Sequence, residues 1–423
     1  MMEPTTTGSR NISDAPPENS ASTPEGTEQS PYRWVILLVV WMSFLLSCVS
    51  RAAWSTVSAP VGHSLGISVA MLGAFVTAFY VGYVVANVGG GFLTDVIGGR
   101  RTLTYTLILL GISTFAFGYA NDLRTGFAIQ TIMGLAAGAD YPTGVKIITS
   151  WFGKDRGRAL GLYTTATSFA VVIANATIPL LSNAFGWQNA FRALGLCTFG
   201  WAFVSSRALR DAPTKAAFAR ITTDEIRALV KNRNLVLLAL AGLGALWATV
   251  GFTAWGNALM IKQYEIDPVT AGRIFVLFGV GAVLTKPLLG WLSDLFDGAT
   301  KLLGVLSLAC FAGMLLVFSR CSTAQEFYIA APFLGAVAFG YTPVLVAQVT
   351  QTSGAKAAGL AAGLTTAVWQ LGSAMAPLVV GAVYARSHSF SYPLLTLAAG
   401  PVLGALILIF TRRRSSNVAA VSA

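Results

Sequence analysis

Four charged side chains stand inside stretches that are otherwise apolar and long enough to cross a bilayer: Arg51, Asp140, Lys146 and Lys286. A charge within the hydrocarbon costs about 2.5 to 3.5 kcal/mol on insertion scales, so each needs a partner, water or a path to the interface. Three of the four are positive. This excess of positive charge favours a site for a small organic anion.

Arg51 is the first candidate for binding that anion. An arginine keeps its charge at physiological pH, and its planar fork of donors suits carboxylate, sulfonate or phosphate oxygens. It lies deep in the first apolar stretch. Lys146 is the second predicted ligand of the anion; it lies near the end of the fourth stretch, and the alternative is that it snorkels partway to the interface. A structural pair of Arg51 with Asp140 or with backbone carbonyls is the alternative. Lys286 is expected to reach toward the interface or toward Asp294 in a structural role.

Asp140 is the acidic residue placed well inside the apolar stretches. Desolvation disfavours the charged form of a carboxyl group, and a nearby cation favours it. An anion bound beside it would change that balance, so we predict that Asp140 is the proton-coupling residue. A structural salt bridge is the alternative.

The composition is that of a polytopic membrane protein. Of 423 residues, 55% are hydrophobic and 11% are charged, against about 25% charged in soluble domains. Apolar runs of about 20 residues, the length of a helix through the hydrocarbon core, recur along the chain. We expect twelve spans near residues 33–59, 70–93, 102–120, 125–150, 159–182, 190–208, 235–260, 270–293, 302–319, 327–350, 358–384 and 392–411.

The net charge of +11 points to a lipid bilayer and not to nucleic acid. Most lysines and arginines fall on the side of the two termini, which is the positive-inside bias. We therefore expect a multi-pass protein of a bacterial inner membrane with both termini cytoplasmic.

The fold class is predicted to be all-α, with twelve transmembrane helices in two six-helix bundles. The longest connection is charged and divides the spans six and six, and the first residues are too polar for a packed core. The predicted parts are a disordered cytoplasmic tail (1–31), an N-terminal bundle (32–208), a cytoplasmic linker (209–234), a C-terminal bundle (235–411) and a cytoplasmic tail (412–423).

One loop motif occurs in both halves. Its first copy contains Gly91, Asp95, Gly98 and Arg100, and Asp294 holds the place of Asp95 in the second copy. Glycine permits close backbone approach and positive φ, aspartate can cap a helix, and the basic residue suits an anionic leaflet. The repetition indicates two parallel halves with a site between them, as in transporters.

On this loop motif the chain resembles the major facilitator superfamily. A second set of residues resembles its anion:cation symporter branch, which includes hexuronate, galactonate and phthalate permeases. That set consists of Tyr141-Pro142, Lys146, Trp151-Phe152 and Asp155-Arg156-Gly157.

The resemblance implies a gating role for the loop motif and a place in the substrate cavity for Arg51. It also implies alternating access by rocking of the two bundles. Ser50 and Gln130 stand where relatives carry an acid and an arginine linked to cation coupling, so the coupling ion stays open.

The remaining predicted substrate-binding residues are polar or aromatic side chains of the cavity spans: Tyr83, Asn87, Trp255, Gln348, Trp369 and Gln370. For each of them, packing or hydrogen bonding between helices is the alternative.

The expected function is uptake of a small organic anion by a monomeric secondary transporter, with protons as the coupling ion. Anion exchange is one alternative, and a sensor that binds without transport is another. An enzyme is not expected, because His63 and His388 lie far apart and no carboxylate or nucleophile stands at catalytic spacing. No cofactor or metal site is expected.

Overall fold

The computed structural model describes residues 31–152, 156–210, 223–295, 300–353 and 358–411. This part of the chain is helical, without strands, and contains fourteen helices. They are α1 (Tyr32–Ser64), α2 (Val69–Ile97), α3 (Gly99–Phe117), α4 (Leu123–Gly138), α5 (Asp140–Trp151), α6 (Arg156–Phe185), α7 (Trp187–Ala208), α8 (Thr223–Lys231), α9 (Arg233–Gln263), α10 (Pro268–Leu295), α11 (Thr300–Phe318), α12 (Ala324–Ser353), α13 (Ala358–Ser387) and α14 (Ser391–Ile409).

The predicted spans correspond to these helices apart from α8, with α4 and α5 sharing one crossing. Eight helices of the described chain are long and apolar enough to cross a membrane by length and composition: α1, α6 and α9 to α14. The short helix α8 lies within the predicted linker. Residues 1–30 and 412–423, residues 211–222 of that linker and the loop before α11 lie outside the described residues, so the predicted domain boundaries remain predictions.

The fourth predicted span is divided, and the sequence gives the reason. A single helix was expected over 125–150, but α4 ends at Gly138 and α5 begins at Asp140. Pro142 has no N–H, so it cannot donate to the carbonyl four residues earlier. That carbonyl belongs to Gly138, and it accepts a hydrogen bond of 3.2 Å from Asn87 Nδ2 on α2. A side chain from the neighbouring helix thus satisfies the backbone at the break.

Glycines let α2 and α4 pack closely in the first half. A Cβ added at Gly82 would collide with the carbonyl oxygen of Thr131. One at Gly134 would collide with the carbonyl oxygen of Phe79. Small residues at such positions allow transmembrane helices to approach backbone to backbone.

The second half repeats this contact between α10 and α12. A Cβ at Gly281 would collide with the carbonyl oxygen of Pro332, and one at Gly335 with that of Phe278. The repeat read from the loop motif therefore extends into helix packing.

The two halves meet along α2 with α13 and α6 with α10. Thr77 Oγ1 donates to the Ala374 carbonyl at 2.9 Å. Buried Asn257 donates from Nδ2 to Asn175 Oδ1 at 2.7 Å. Both contacts lie toward the helix ends remote from the chain termini. They hold the halves together on that side.

Candidate functional site

Arg51 lies near the middle of the 33-residue α1. Its guanidinium carbon stands 5.5 Å from the centroid of the Tyr83 ring. Its Nη2 lies 3.5 Å from Cys48 Sγ. Within the described chain, no carboxylate forms an ion pair with Arg51. Its described partners are neutral groups: the ring face and hydroxyl of Tyr83, and the weak sulfur acceptor of Cys48.

Asp140 is fully buried at the first position of α5. Its Oδ1 accepts a hydrogen bond of 2.8 Å from Thr106 Oγ1 on α3. Its Oδ2 has no hydrogen-bond partner. The Asp140 backbone carbonyl accepts from the Tyr163 hydroxyl on α6 at 3.2 Å. Asp140 therefore sits where α3, α5 and α6 meet, and it is not the partner of Arg51.

Lys286 differs from its expected placement at the membrane interface. This residue of α10 crosses to the other half, where its Nζ donates to Thr167 Oγ1 at 2.5 Å and to the Thr164 carbonyl at 3.4 Å. The same Nζ stands 5.1 Å from the centroid of the Phe339 ring. Lys286 and Arg51 lie within electrostatic range of each other. The structure thus brings one cation from each half toward the same region.

Lys146 is half-buried on α5, on the stretch between Asp140 and the end of the helix. Its contact with an anion remains a prediction.

Among the other predicted binding residues, four donate side-chain N–H groups to backbone carbonyls. The pairs are Asn87 with Gly138 (3.2 Å), Trp255 with Pro377 (3.0 Å), Trp369 with Leu238 (3.2 Å) and Gln348 with Thr300 (2.9 Å). Tyr83 is buried beside Arg51, and Gln370 is half-buried on α13. In this conformation the four donors join helices. Their binding of substrate stays a prediction.

The predicted gating loop contains one residue whose backbone requires glycine. Gly98 joins α2 to α3 with φ +88°, a conformation that a side chain disfavours. A Cβ at Gly91 would meet nothing within 4 Å, so close packing does not require that glycine here. The side chains of Asp95 and Asp294 lie outside the described residues.

The basic residue of the loop contacts the last helix of its own half. Arg100 Nε donates to the Ser206 carbonyl near the end of α7 at 2.9 Å. In the second half, Lys301 Nζ donates to the carbonyls of Ile409 and Thr411 at 2.6 and 2.7 Å. Cations suit the C-terminal ends of helices, where carbonyls lack intrahelical partners. The gating role of Arg100 and its loop stays a prediction.

Sequence reasoning missed the polar residues that hold the charged ones. Cys48, Thr106, Thr164 and Thr167 lie in apolar helices, where such side chains usually bond to their own helix. Their partners are far away in sequence, so spacing gives no signal for them. No group of His, Cys, Asp and Glu in the described chain is arranged to hold a metal ion.

Repeated halves of apolar helices, joined across an interface that carries intramembrane charges, are the architecture of a polytopic membrane transporter. Comparison with protein families identifies it further. The chain belongs to the Major Facilitator Superfamily, whose model matches residues 39–377 and again residues 253–422.

Relatives of known name are similar over nearly the whole chain. The probable galactarate/D-glucarate transporter GudP of Bacillus subtilis is 24% identical, over 91% of this chain and 92% of that protein. The probable L-galactonate transporter of Escherichia coli is 22% identical, over 90% and 89%. The probable sulfoacetate transporter SauU of Cupriavidus necator is 22% identical, over 89% and 93%. These names confirm the resemblance to the anion:cation symporter branch.

A solved structure shows the same fold. A bacterial homologue of the human lysosomal transporter Spinster, in an inward-facing and occupied conformation, superimposes with a TM-score of 0.78. It is 14% identical in sequence, and the match covers 90% of this chain and 97% of that one.

Proposed function

We propose that this protein takes up a small organic anion across a bacterial inner membrane by alternating access, with Arg51 as the principal anion ligand. The observation that carries the proposal is the absence of a carboxylate partner for Arg51 within the described chain. An intramembrane arginine whose described partners are the neutral Tyr83 side chain and a thiol retains donors for a carboxylate or sulfonate. The named relatives support this substrate class, since galactarate, galactonate and sulfoacetate are organic anions.

We further propose that the proton is the coupling ion and that Asp140 binds it. A carboxyl group buried without a cationic partner costs less in its neutral form. The unpartnered Oδ2 is the atom that would carry the proton, while Oδ1 keeps its bond from Thr106. Asp140 and Arg51 both lie within electrostatic range of Cys48. We propose that an anion bound at Arg51 favours protonation of Asp140 through the Cys48 region that both groups face.

Uptake into proteoliposomes tests the proposal and separates it from a sensor. Purified protein is first screened by thermal shift against sugar acids, aromatic acids, dicarboxylates and sulfonates, and the stabilising acid is then supplied in radiolabelled form. We expect saturable flux that a proton gradient drives. Binding without flux would favour a sensor. Flux that occurs only when the vesicles contain an anion, whatever the pH gradient, would favour an exchanger.

A further inference from the structure

Lys286 offers a second, separate charge for the substrate. Its two hydrogen-bond acceptors, Thr167 Oγ1 and the Thr164 carbonyl, are neutral, and so is the Phe339 ring beside it. No carboxylate of the described chain forms an ion pair with it. A charged group inside a membrane protein that lacks an opposite charge is a candidate for ligand binding.

Lys286 and Arg51 belong to one region but to different halves. Both lie within electrostatic range of Cys48, and each is within range of the other. Two like charges placed near each other in a poorly polarisable interior repel, and the repulsion falls when an anion lies between them. A single carboxylate on Arg51 would leave the charge of Lys286 without a counter-charge.

We infer that the substrate is a small dianion, a dicarboxylate or a sulfo-carboxylate, with one acid group on Arg51 and the other on Lys286. This inference rests on the proposed function and narrows it. The rigid fork of Arg51 suits a bidentate acid group, and the flexible ammonium of Lys286 suits a group whose position varies with substrate length.

The two-ended contact also links binding to movement. Arg51 is carried by α1 of the first half and Lys286 by α10 of the second half. The second acid group of a dianion competes with Thr164 and Thr167 for the Lys286 ammonium, so a contact through the substrate to Arg51 on α1 replaces the direct contact of Lys286 with α6. A monoanion lacks that second acid group, so Lys286 keeps its hydrogen bonds to Thr164 and Thr167 of α6.

The experiment compares matched acids that differ by one charge. Binding to purified protein is measured by thermal shift and calorimetry with four pairs: galactonate and galactarate, butyrate and succinate, benzoate and phthalate, acetate and sulfoacetate. We expect the dianion to bind more tightly within the pair that binds best. A best ligand that is a monoanion, or equal affinity within that pair, would overturn the inference. The proposed function would stand, because it requires only an anion.

Substitution of Lys286 then assigns the second charge. A charge-assisted hydrogen bond contributes about 1.5 to 3 kcal/mol, so Lys286→Gln should weaken dianion binding about 10- to 100-fold. Affinity for the monoanion should stay within about threefold, and Lys286→Arg should recover most of the dianion affinity. Lys262→Gln is the control, because Lys262 is an exposed cation at the far end of α9.

Two results would show whether the role of Lys286 alone fails or the proposed function fails with it. Equal loss of monoanion and dianion binding in Lys286→Gln would mean that Lys286 supports the fold of the site without contacting substrate. Wild-type protein that binds none of the eight acids and transports no anion would overturn the dianion inference together with the proposed function.

Discussion

Asp140→Asn should separate transport from its driving force. The amide has the shape of the carboxyl group, and its oxygen can still accept from Thr106 Oγ1, which lies 2.8 Å from Oδ1. It cannot bind or release a proton at physiological pH. We therefore expect a folded protein that still exchanges substrate across the membrane but cannot concentrate it.

The size of the effect follows from one titrating carboxyl group. One proton carried per cycle across a gradient of one pH unit supplies about 1.36 kcal/mol. With the membrane potential held at zero, that energy supports an accumulation ratio of about tenfold at the plateau. A gradient of two units should give about 100-fold. Asp140→Asn should reach a ratio of about one at either gradient.

The assay uses proteoliposomes with valinomycin and equal potassium on both sides, an interior one pH unit more alkaline than the exterior, and the radiolabelled acid found in the binding screen. Counterflow without a gradient measures exchange in the same vesicles. Asp122→Asn is the control for loss of an acid outside the membrane. Hydrogen bonds from the Thr125 side chain and backbone hold the pKa of Asp122 below its usual range, so that carboxylate stays ionised in the assay. A tenfold plateau in Asp140→Asn would refute the coupling role.

Three further predictions concern stability and conformation. Lys301→Ala should lower the free energy of unfolding by about 1 kcal/mol in a detergent melt, because two carbonyls at the end of a helix lose a charged donor. An unchanged free energy of unfolding would contradict this role of Lys301. Gly134→Ala should lower the free energy of unfolding by about 1 to 3 kcal/mol in the same melt. Gly313→Ala is the control and should leave it unchanged, because a Cβ there meets nothing within 4 Å. Equal melting temperatures of the two variants would contradict the close packing of α2 and α4. Asn257→Ala removes a buried hydrogen bond between the halves that contributes about 1 kcal/mol. The fraction of molecules that are open on the side remote from the chain termini should therefore rise about fivefold. Spin-label distances between the α1–α2 and α9–α10 connections measure that shift, Thr177→Ala is its control, and an unshifted distance distribution would contradict it.

The architecture could be read from the sequence because its causes are local. The lengths of the apolar runs predicted the helices, the distribution of lysine and arginine predicted the orientation, and the repeated loop motif predicted two related halves. The break between α4 and α5 could also have been foreseen, since Pro142 removes a donor in the middle of the span. Only the structure shows that Asn87 of another helix satisfies the Gly138 carbonyl.

The candidate site was less predictable, because intramembrane charges are stabilised by partners far away in sequence. An arginine at position 51, inside the membrane, indicated an anion ligand. Its contacts with Cys48 and Tyr83 could not be predicted, because they follow from the packing of α1 and α2. Lys286 was expected to reach toward the interface or toward Asp294, which lies about eight residues further along the helix. It contacts α6 instead, and helix pairing, which fixes that contact, leaves no signal in the spacing of residues.

The role of Arg51 is tested most directly by initial uptake of the radiolabelled acid. Arg51→Ala and Arg51→Lys are each compared with wild-type protein at equal amounts in the same kind of vesicles. We expect Arg51→Ala to lose uptake by at least about 100-fold while its insertion and melting temperature are kept. Arg51→Lys should retain partial uptake with a raised KM, because one ammonium replaces a bidentate fork. Undiminished uptake by Arg51→Ala would contradict the central claim that this arginine binds the transported anion.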